Sequence, residues 1–302
     1  MMENNESNDE LVDIPSMEQV AEWCRSEESA ILYLNAHGML CKPGECYKCG
    51  HNRISFKKKP YLVRCNSCDT AWSIRANTFF YNSKLGVNDI LLLGYLWLLN
   101  MSKLQIMTMY PHFASQTVTN WMRYYAELVG ESCTATESKI GGEGVVVEID
   151  ESKFGKRKYN KGHRVTGVWV VGGVERTPER RLFVNKVVDR SALTLKAVIE
   201  SYVAPGSIVY SDMWKGYRNS DLSELDVGHQ TVNHSKHFVD PITGVHTNTI
   251  EGTWNGIKSK MNSRHMTEKF VEGHLLRFIW ERQYANMRWS MLLFAIKAIE
   301  YA

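Results

Sequence analysis

Three acids in this chain stand where carboxylates can be gathered around divalent cations. Asp150 closes the apolar run 145–150, Asp212 closes 207–212, and Glu251 opens a helix-like stretch. Two acids at strand ends and a third on a later helix repel one another unless metal neutralises them, which points to metal-assisted phosphoryl chemistry. Three oxygen donors suit Mg2+ or Mn2+, two per active site, with water and phosphate oxygens as remaining ligands. Asp150 would bridge both ions, with Asp212 and Glu251 each holding one. Any one of the 33 Asp and Glu residues is more simply a solvated group, so context carries the argument. Glu148 shares a strand face with Asp150 and reads as a fourth acid or an ion-pair partner.

A second constellation is built of sulfur. Cys46 and Cys49 form one Cys-x-x-Cys pair, Cys65 and Cys68 another, with fifteen residues between them. That spacing fits a tetrahedral four-cysteine zinc ribbon holding one structural Zn2+. Phe56, Tyr61, Val63, Trp72 and Ile74 alternate around the pairs as short strands require. Such a module is too small to bury enough surface alone, so metal would supply much of its folding energy. Cys41 and His51 are near enough to compete as ligands, whereas Cys24 and Cys133 read as ordinary buried thiols.

The elements that must position these groups follow from periodicity. Residues 1–40 form an acidic segment with a helix from Ser16, its apolar side made by Val20, Trp23, Ala30, Ile31 and Leu32. The ribbon occupies 41–84. Residues 85–133 read as helices, the first capped by Asn88 or Asp89, the next starting at Ser102 and Ser115. The last pair resembles a helix-turn-helix that presents Gln116, Thr117, Thr119 and Asn120 to base edges, although plain three-helix packing explains the same pattern. A glycine-containing linker, 134–144, precedes strand-like runs at 145–150, 165–174, 181–188, 208–211 and 227–233, with helices at 191–203 and 214–225. Three strands, a helix, a strand, a helix and a strand make the order of an RNase H-like α/β core over 145–302, completed by the Glu251 helix and two amphipathic helices. In that sheet the first and fourth strands are neighbours, which would join Asp150 to Asp212. The fold class expected is therefore multidomain α/β.

Charge is distributed unevenly behind a net of +3. Residues 1–30 hold nine acids and Arg25, whereas 41–84 hold nine Lys and Arg against Glu45 and Asp69, a balance expected of a phosphate-backbone binder. Lys153, Lys156, Arg157, Lys158, Lys161 and Arg164 crowd the connection after Asp150 and suit a loop along a phosphate backbone, contributing position but no base information. Lys258, two helical turns beyond Glu251 on the same face, can contact the scissile-strand phosphate, while Trp254 reads as core. His246 and Asn248 can orient Glu251 or the leaving group; His229, His234, His237 and His246 fit no metal motif well. The apolar run 90–99 is about half the ~20 residues a membrane span needs, and the acidic start is no secretory signal, so a soluble intracellular protein without membrane contact is expected.

Five blocks, together with the helix-turn-helix-like segment, resemble transposases of the Merlin superfamily, relatives of bacterial insertion-sequence transposases. They are Cys65-Asn-Ser-Cys68 through Trp72-Ser-Ile-Arg75 and Thr78-Phe-Phe; Glu148-Ile-Asp-Glu-Ser with Lys156-Arg-Lys-Tyr-Asn-Lys-Gly; Ser211-Asp-Met-Trp-Lys-Gly-Tyr217; His246-Thr-Asn-Thr-Ile-Glu-Gly-Thr-Trp-Asn-Gly-Ile-Lys258; and the helix at 278–286. The resemblance covers about residues 40–290 and implies a cut-and-paste DDE transposase with Asp150, Asp212 and Glu251 as its metal-binding triad. It further implies binding to terminal inverted repeats, joining of 3′-hydroxyls to target DNA, assembly as a homodimer or higher oligomer, and a nuclear location, or the bacterial cytoplasm for a prokaryotic host. Two other classes compete: a domesticated DNA-binding protein without catalysis, and an RNase H-like nuclease without strand transfer.

Overall fold

A computed structural model describes residues 13–41, 44–57, 61–134, 139–155, 167–233, 238–261 and 266–299. The chain divides into two units, one of residues 1–129 with 284–302 and the other of residues 130–283.

In the first unit Ser16 and Gln19 form a reciprocal capping box that starts α1 (Met17–Cys24), and the Ser26 hydroxyl caps α2 (Glu27–Ala36). The single helix expected from Ser16 is thus two helices. Val20, Ala30 and Ile31 are buried as their spacing predicts, but Leu32 points outward, because the break at residues 25–26 rotates the second helix out of phase with the first. Three antiparallel strands follow in the order β1 (Ile54–Lys57), β2 (Leu62–Cys65) and β3 (Ala71–Ser73). Next comes α3 (Val87–Leu98), buried along almost its whole length, as a helix apolar all round must be. Its N-cap is Gly86 with no side-chain cap, so neither Asn88 nor Asp89 plays that part. Ser102 caps α4 (Lys103–Met109) through a second capping box, and α5 (Ser115–Thr134) is a 20-residue helix rather than a short one. Val118, Trp121, Tyr125 and Leu128 form its buried face, and the Tyr125 hydroxyl donates to Ile90 O at 2.6 Å. That ring lies against Gly94, where a Cβ would approach it to 3.1 Å.

The second unit is a five-stranded mixed sheet with a helical layer on each face. Its strands are β5 (Val146–Phe154), β6 (Val168–Glu175), β7 (Leu182–Val187), β9 (Ile208–Asp212) and β10 (Gly228–Val232), in the spatial order β10-β9-β5-β6-β7. A two-residue parallel pairing of β4 (Ile140–Gly141) with β8 (Val203–Ala204) lies beside it. The first three long strands are antiparallel neighbours, whereas β9 is parallel to β5, reached through α6 (Ala192–Tyr202), which Ser191 caps. The first and fourth strands are therefore adjacent, as expected. On one face Val147, Ile149 and Val209 pack with Leu195, Val198 and Ile199 of α6 and with Tyr217 of α7 (Lys215–Asn219). The expected helix at 214–225 is this short helix followed by a 3-10 turn, Ser223–Leu225. On the other face Phe154, Val170 and Val174 pack with Ile250, Trp254 and Ile257 of α8 (Asn248–Lys260) and Leu275 of α9 (Val271–Gln283). The last helix, α10 (Arg288–Ala298), falls in the first unit rather than with the core expected over 145–302, and there the Trp289 indole donates to the Tyr33 hydroxyl at 3.0 Å.

Candidate functional site

The parallel pairing of β5 with β9 runs from Val146 opposite Ile208 to Glu148 opposite Tyr210. Two residues further on, Asp150 and Asp212 occupy the point where the two strands part. The strand carrying Asp150 does not end there as expected. It continues to Phe154, because β6 goes on pairing with it through Phe154 opposite Val168. At the parting the carboxylates of Asp150, Glu151 and Asp212 place oxygens within 4.8 Å of one another.

Each acid is held differently. Asp150 accepts from the Trp254 indole N–H at 3.0 Å, and Asp212 from the backbone N–H of Trp214 at 2.8 Å. The indole can reach Asp150 because its strand neighbour on β6 is Gly172, where a Cβ would lie 2.7 Å from the Trp254 ring. Burial pushes the Asp150 carboxyl up to about 6, with the charges of Asp212 and Glu251 adding to the rise. Glu151 is pushed to about 8, chiefly by burial and then by the charges of Asp212 and Asp150. Its Oε1 is buried without a hydrogen-bond partner, and so is the hydroxyl of Tyr217. That phenol is raised well above its ordinary value by burial first and by the charges of Glu151, Asp150 and Asp212 after it.

Glu251 is not among the acids whose oxygens lie within 4.8 Å of one another. It stands in the first turn of α8, where the Thr247 hydroxyl donates to its Oε1 at 3.5 Å, and it is close enough for its charge to act on Asp150. Glu148 fixes the start of that helix. Fully buried, it takes the backbone N–H groups of Thr249 and Ile250 at 2.8 and 3.0 Å and the Thr249 hydroxyl at 2.9 Å. Arg176 pairs with it at 2.6 Å and also donates to His246 O. Of the two readings offered for Glu148, the ion-pair partner is the one observed. An acid on these orphan N–H groups is favoured by the helix dipole as well as by hydrogen bonding. His246 Nδ1 accepts from Asn248 N at 3.3 Å and lies 3.6 Å from Glu148, so it serves the same helix start.

Lys258 reaches from α8 to β5 and donates to Ser152 Oγ at 2.6 Å. Burial lowers its pKa, and the charge of Asp150 acts in the opposite direction. Arg190 lies between two indoles, 4.4 Å from the Trp169 ring and 3.8 Å from the Trp214 ring, and its charge acts on Glu151. His229 is bound to Ser211 Oγ at 2.8 Å, while His234 and His237 lie outside the described residues. Lys156, Arg157, Lys158, Lys161 and Arg164 also lie outside them. Gln116 is exposed at the start of α5 and donates to Asn120 at 2.9 Å; Thr117 and Asn120 are half-buried.

The sulfur cluster belongs to the first unit. Cys46, Cys49, Cys65 and Cys68 place their Sγ atoms within 4.8 Å of one another, with Cys46 to Cys68 and Cys49 to Cys65 each 3.6 Å apart. The four are free thiols rather than disulfides, and tetrahedral bonds of ~2.3 Å to one ion separate sulfurs by about this distance. Hydrogen bonding with Thr70 pulls Cys68 down to about 6, toward the thiolate that binds metal. Cys41 and His51 stay out of the cluster; the His51 ring meets Cys49 O instead. The four cysteines can hold zinc, and the three carboxylates suit a harder divalent cation.

Sequence reasoning passed over Glu151, Tyr217 and the Trp254 N–H. Alternation along a strand sends Glu151 to the face opposite Asp150, so its return to the same cluster is visible only where β5 and β9 separate. A signal was present in its place beside Asp150 within the block Glu148-Ile-Asp-Glu-Ser.

Among curated proteins none matches the chain. Among solved structures, a pre-cleavage Mos1 transpososome is similar at 11% identity over 65% of this chain and 75% of that one, with a TM-score of 0.23. The NurA nuclease from Sulfolobus solfataricus is similar at 15% identity over 61% of this chain and 57% of its own, with a TM-score of 0.14. Residues 134–286 match the ISXO2-like transposase domain, just over half of the sequence and the whole stretch that carries the acids, Glu148 and Arg176. The chain belongs to the ISXO2-like transposase family of DDE transposases.

Proposed function

We propose that the chain is a cut-and-paste DNA transposase of the Merlin type, which binds the terminal inverted repeats of its element, cleaves the ends and joins the 3′-hydroxyls to target DNA. The observation that carries the reading is the meeting of Asp150 and Asp212 at the parting of β5 and β9, beside a helix start that Glu148 holds in place. The strand order, with the first and fourth strands adjacent, supports an RNase H-like core. Bound Mg2+ or Mn2+, two per site, would activate a water or 3′-hydroxyl and stabilise the leaving oxygen. Asp150, Asp212 and Glu251 would hold the ions, Glu251 being brought to the site by α8. The Trp254 N–H orients Asp150, and the backbone N–H of Trp214 orients Asp212, so each presents a defined oxygen. Lys258 would bind the scissile-strand phosphate, exchanging its Ser152 partner for the anion.

The four-cysteine module would hold one structural zinc, and with Gln116, Thr117 and Asn120 of α5 it would read element ends, while Lys156, Arg157, Lys158, Lys161 and Arg164 track the backbone. Joining two ends requires a homodimer or larger assembly, and a nuclear location follows from the Merlin resemblance, the bacterial cytoplasm being the alternative. A strand-transfer assay with Mn2+ and labelled element ends tests the reading. Joined products are expected from the wild type and absent from Asp212→Ala. Binding of ends without cleavage by the wild type would overturn it.

A further inference from the structure

We propose that Asp150, Glu151 and Asp212 form by themselves the first divalent-cation site of this protein, with Glu151 a direct ligand, and that Glu251 is required only for the second ion. The inference rests on the metal-dependent reading above and deepens it by ordering the two ions.

Three observations carry it. The carboxylates of Asp150, Glu151 and Asp212 already lie within 4.8 Å of one another, and Glu251 is outside that set. Three hard oxygen donors are sufficient for Mg2+ or Mn2+, which complete their shells with water. Next, Glu151 Oε1 is buried with no hydrogen-bond partner, a state that costs free energy unless something positive meets it. Finally, the Tyr217 hydroxyl, on a side chain only 1% exposed, is also without a partner and lies within the field of the same three carboxylates. Two unsatisfied oxygens, one on β5 and one on α7, are accounted for together by a hydrated cation at the carboxylates: the ion takes Glu151, and its bound water takes the phenol.

A structural role for Glu151 as counter-ion to Arg190 fits less well. Arg190 is committed to the Trp169 and Trp214 rings and makes no ion pair with Glu151 among the described residues. Glu251 has a different attachment. It rides on a helix whose start is fixed by Glu148 and Arg176, so its approach depends on α8 rather than on the sheet edge.

The test is a Mn2+ titration of the full-length chain, free of DNA, followed by the electron paramagnetic resonance signal of free Mn2+ and by the thermal midpoint. Glu251→Gln is expected to retain one ion within about threefold of the tight wild-type affinity, and Glu151→Gln to lose at least about tenfold at that ion. Added Mn2+ should raise the midpoint of Glu251→Gln and leave that of Glu151→Gln nearly unmoved. Glu151→Gln is isosteric and removes only the capacity to become a carboxylate ligand; should it nevertheless fail to fold, Glu151→Asp, which retracts the carboxylate by one methylene, is expected to weaken the same ion. The proposal is overturned if Glu151→Gln keeps the tight ion, or if Glu251→Gln loses both. A Glu151→Gln variant that keeps the ion while the wild type joins DNA ends overturns this inference alone. A wild type that takes up no Mn2+ overturns the metal reading with it.

Discussion

Asp150 and Glu151 are adjacent in the chain, and burial first, then the charges of neighbouring acids (Asp212 in both cases), raise them to about 6 and about 8. In the metal-free protein each carboxyl therefore keeps its proton to a higher pH when folded than when unfolded. Stability from these two groups is fullest below the ordinary carboxylate range and is lost as pH rises through 6 and then 8, by on the order of a few kcal/mol. The thermal midpoint of Glu151→Gln should accordingly gain on that of the wild type, without metal, between about pH 5 and pH 8. A gap that stays constant across that range would show that Glu151 is not the group responsible. Cation binding must displace the same protons, so Mn2+ affinity should climb over this interval and then level off. Asp150 and Asp212 were legible as a pair because each closes a recognisable run. Glu151 was not, since a period of two places it on the opposite face.

At the scale of elements, the decisive contact is between β5 and the start of α8. Glu148 gives its carboxylate to two backbone N–H groups, a hydroxyl and the Arg176 guanidinium, all from one buried position. Replacing it as Glu148→Gln leaves Arg176 without its counter-charge and weakens the cap, so a loss of roughly 3 kcal/mol is expected in denaturant unfolding. Because α8 carries Glu251, DNA cleavage should fall further than stability alone explains. Unchanged stability in this variant would remove the tether from the account. The apolar spacing of α8 was readable, with Ile250, Trp254 and Ile257 buried as a helical period demands. What pinned its first turn was not readable, since the partner lies about a hundred residues earlier in the chain.

For the whole molecule, the two units predict separable consequences. On the proposed reading, Cys65→Ser removes one of four zinc-binding sulfurs from a small module, so zinc is expected to be lost and end binding weakened. The unit of residues 130–283, with its own two apolar layers, should keep its cooperative transition. Full zinc stoichiometry in that variant would refute the four-cysteine site. DNA affinity should fall steeply with salt, as many neutralised phosphates require, and a flat affinity from low to physiological salt would count against a backbone-tracking surface.

The sequence by itself determined the chemistry available and most of the element order. Paired cysteines announced a four-sulfur cluster, acids after apolar runs announced a carboxylate centre, and serines marked the starts of α1, α4 and α6. These signals are local: a spacing, a cap or a period is complete within a few residues. Only the tertiary structure decided which acids meet. Strand alternation sorts side chains by face, but where two parallel strands part, the sorting no longer governs, and Glu151 joins Asp150 and Asp212. Only there, too, did Gly172 reveal its purpose as the gap through which Trp254 reaches Asp150. Contacts of this kind join residues far apart in sequence, so their energy appears only when the sheet and helices have closed around them.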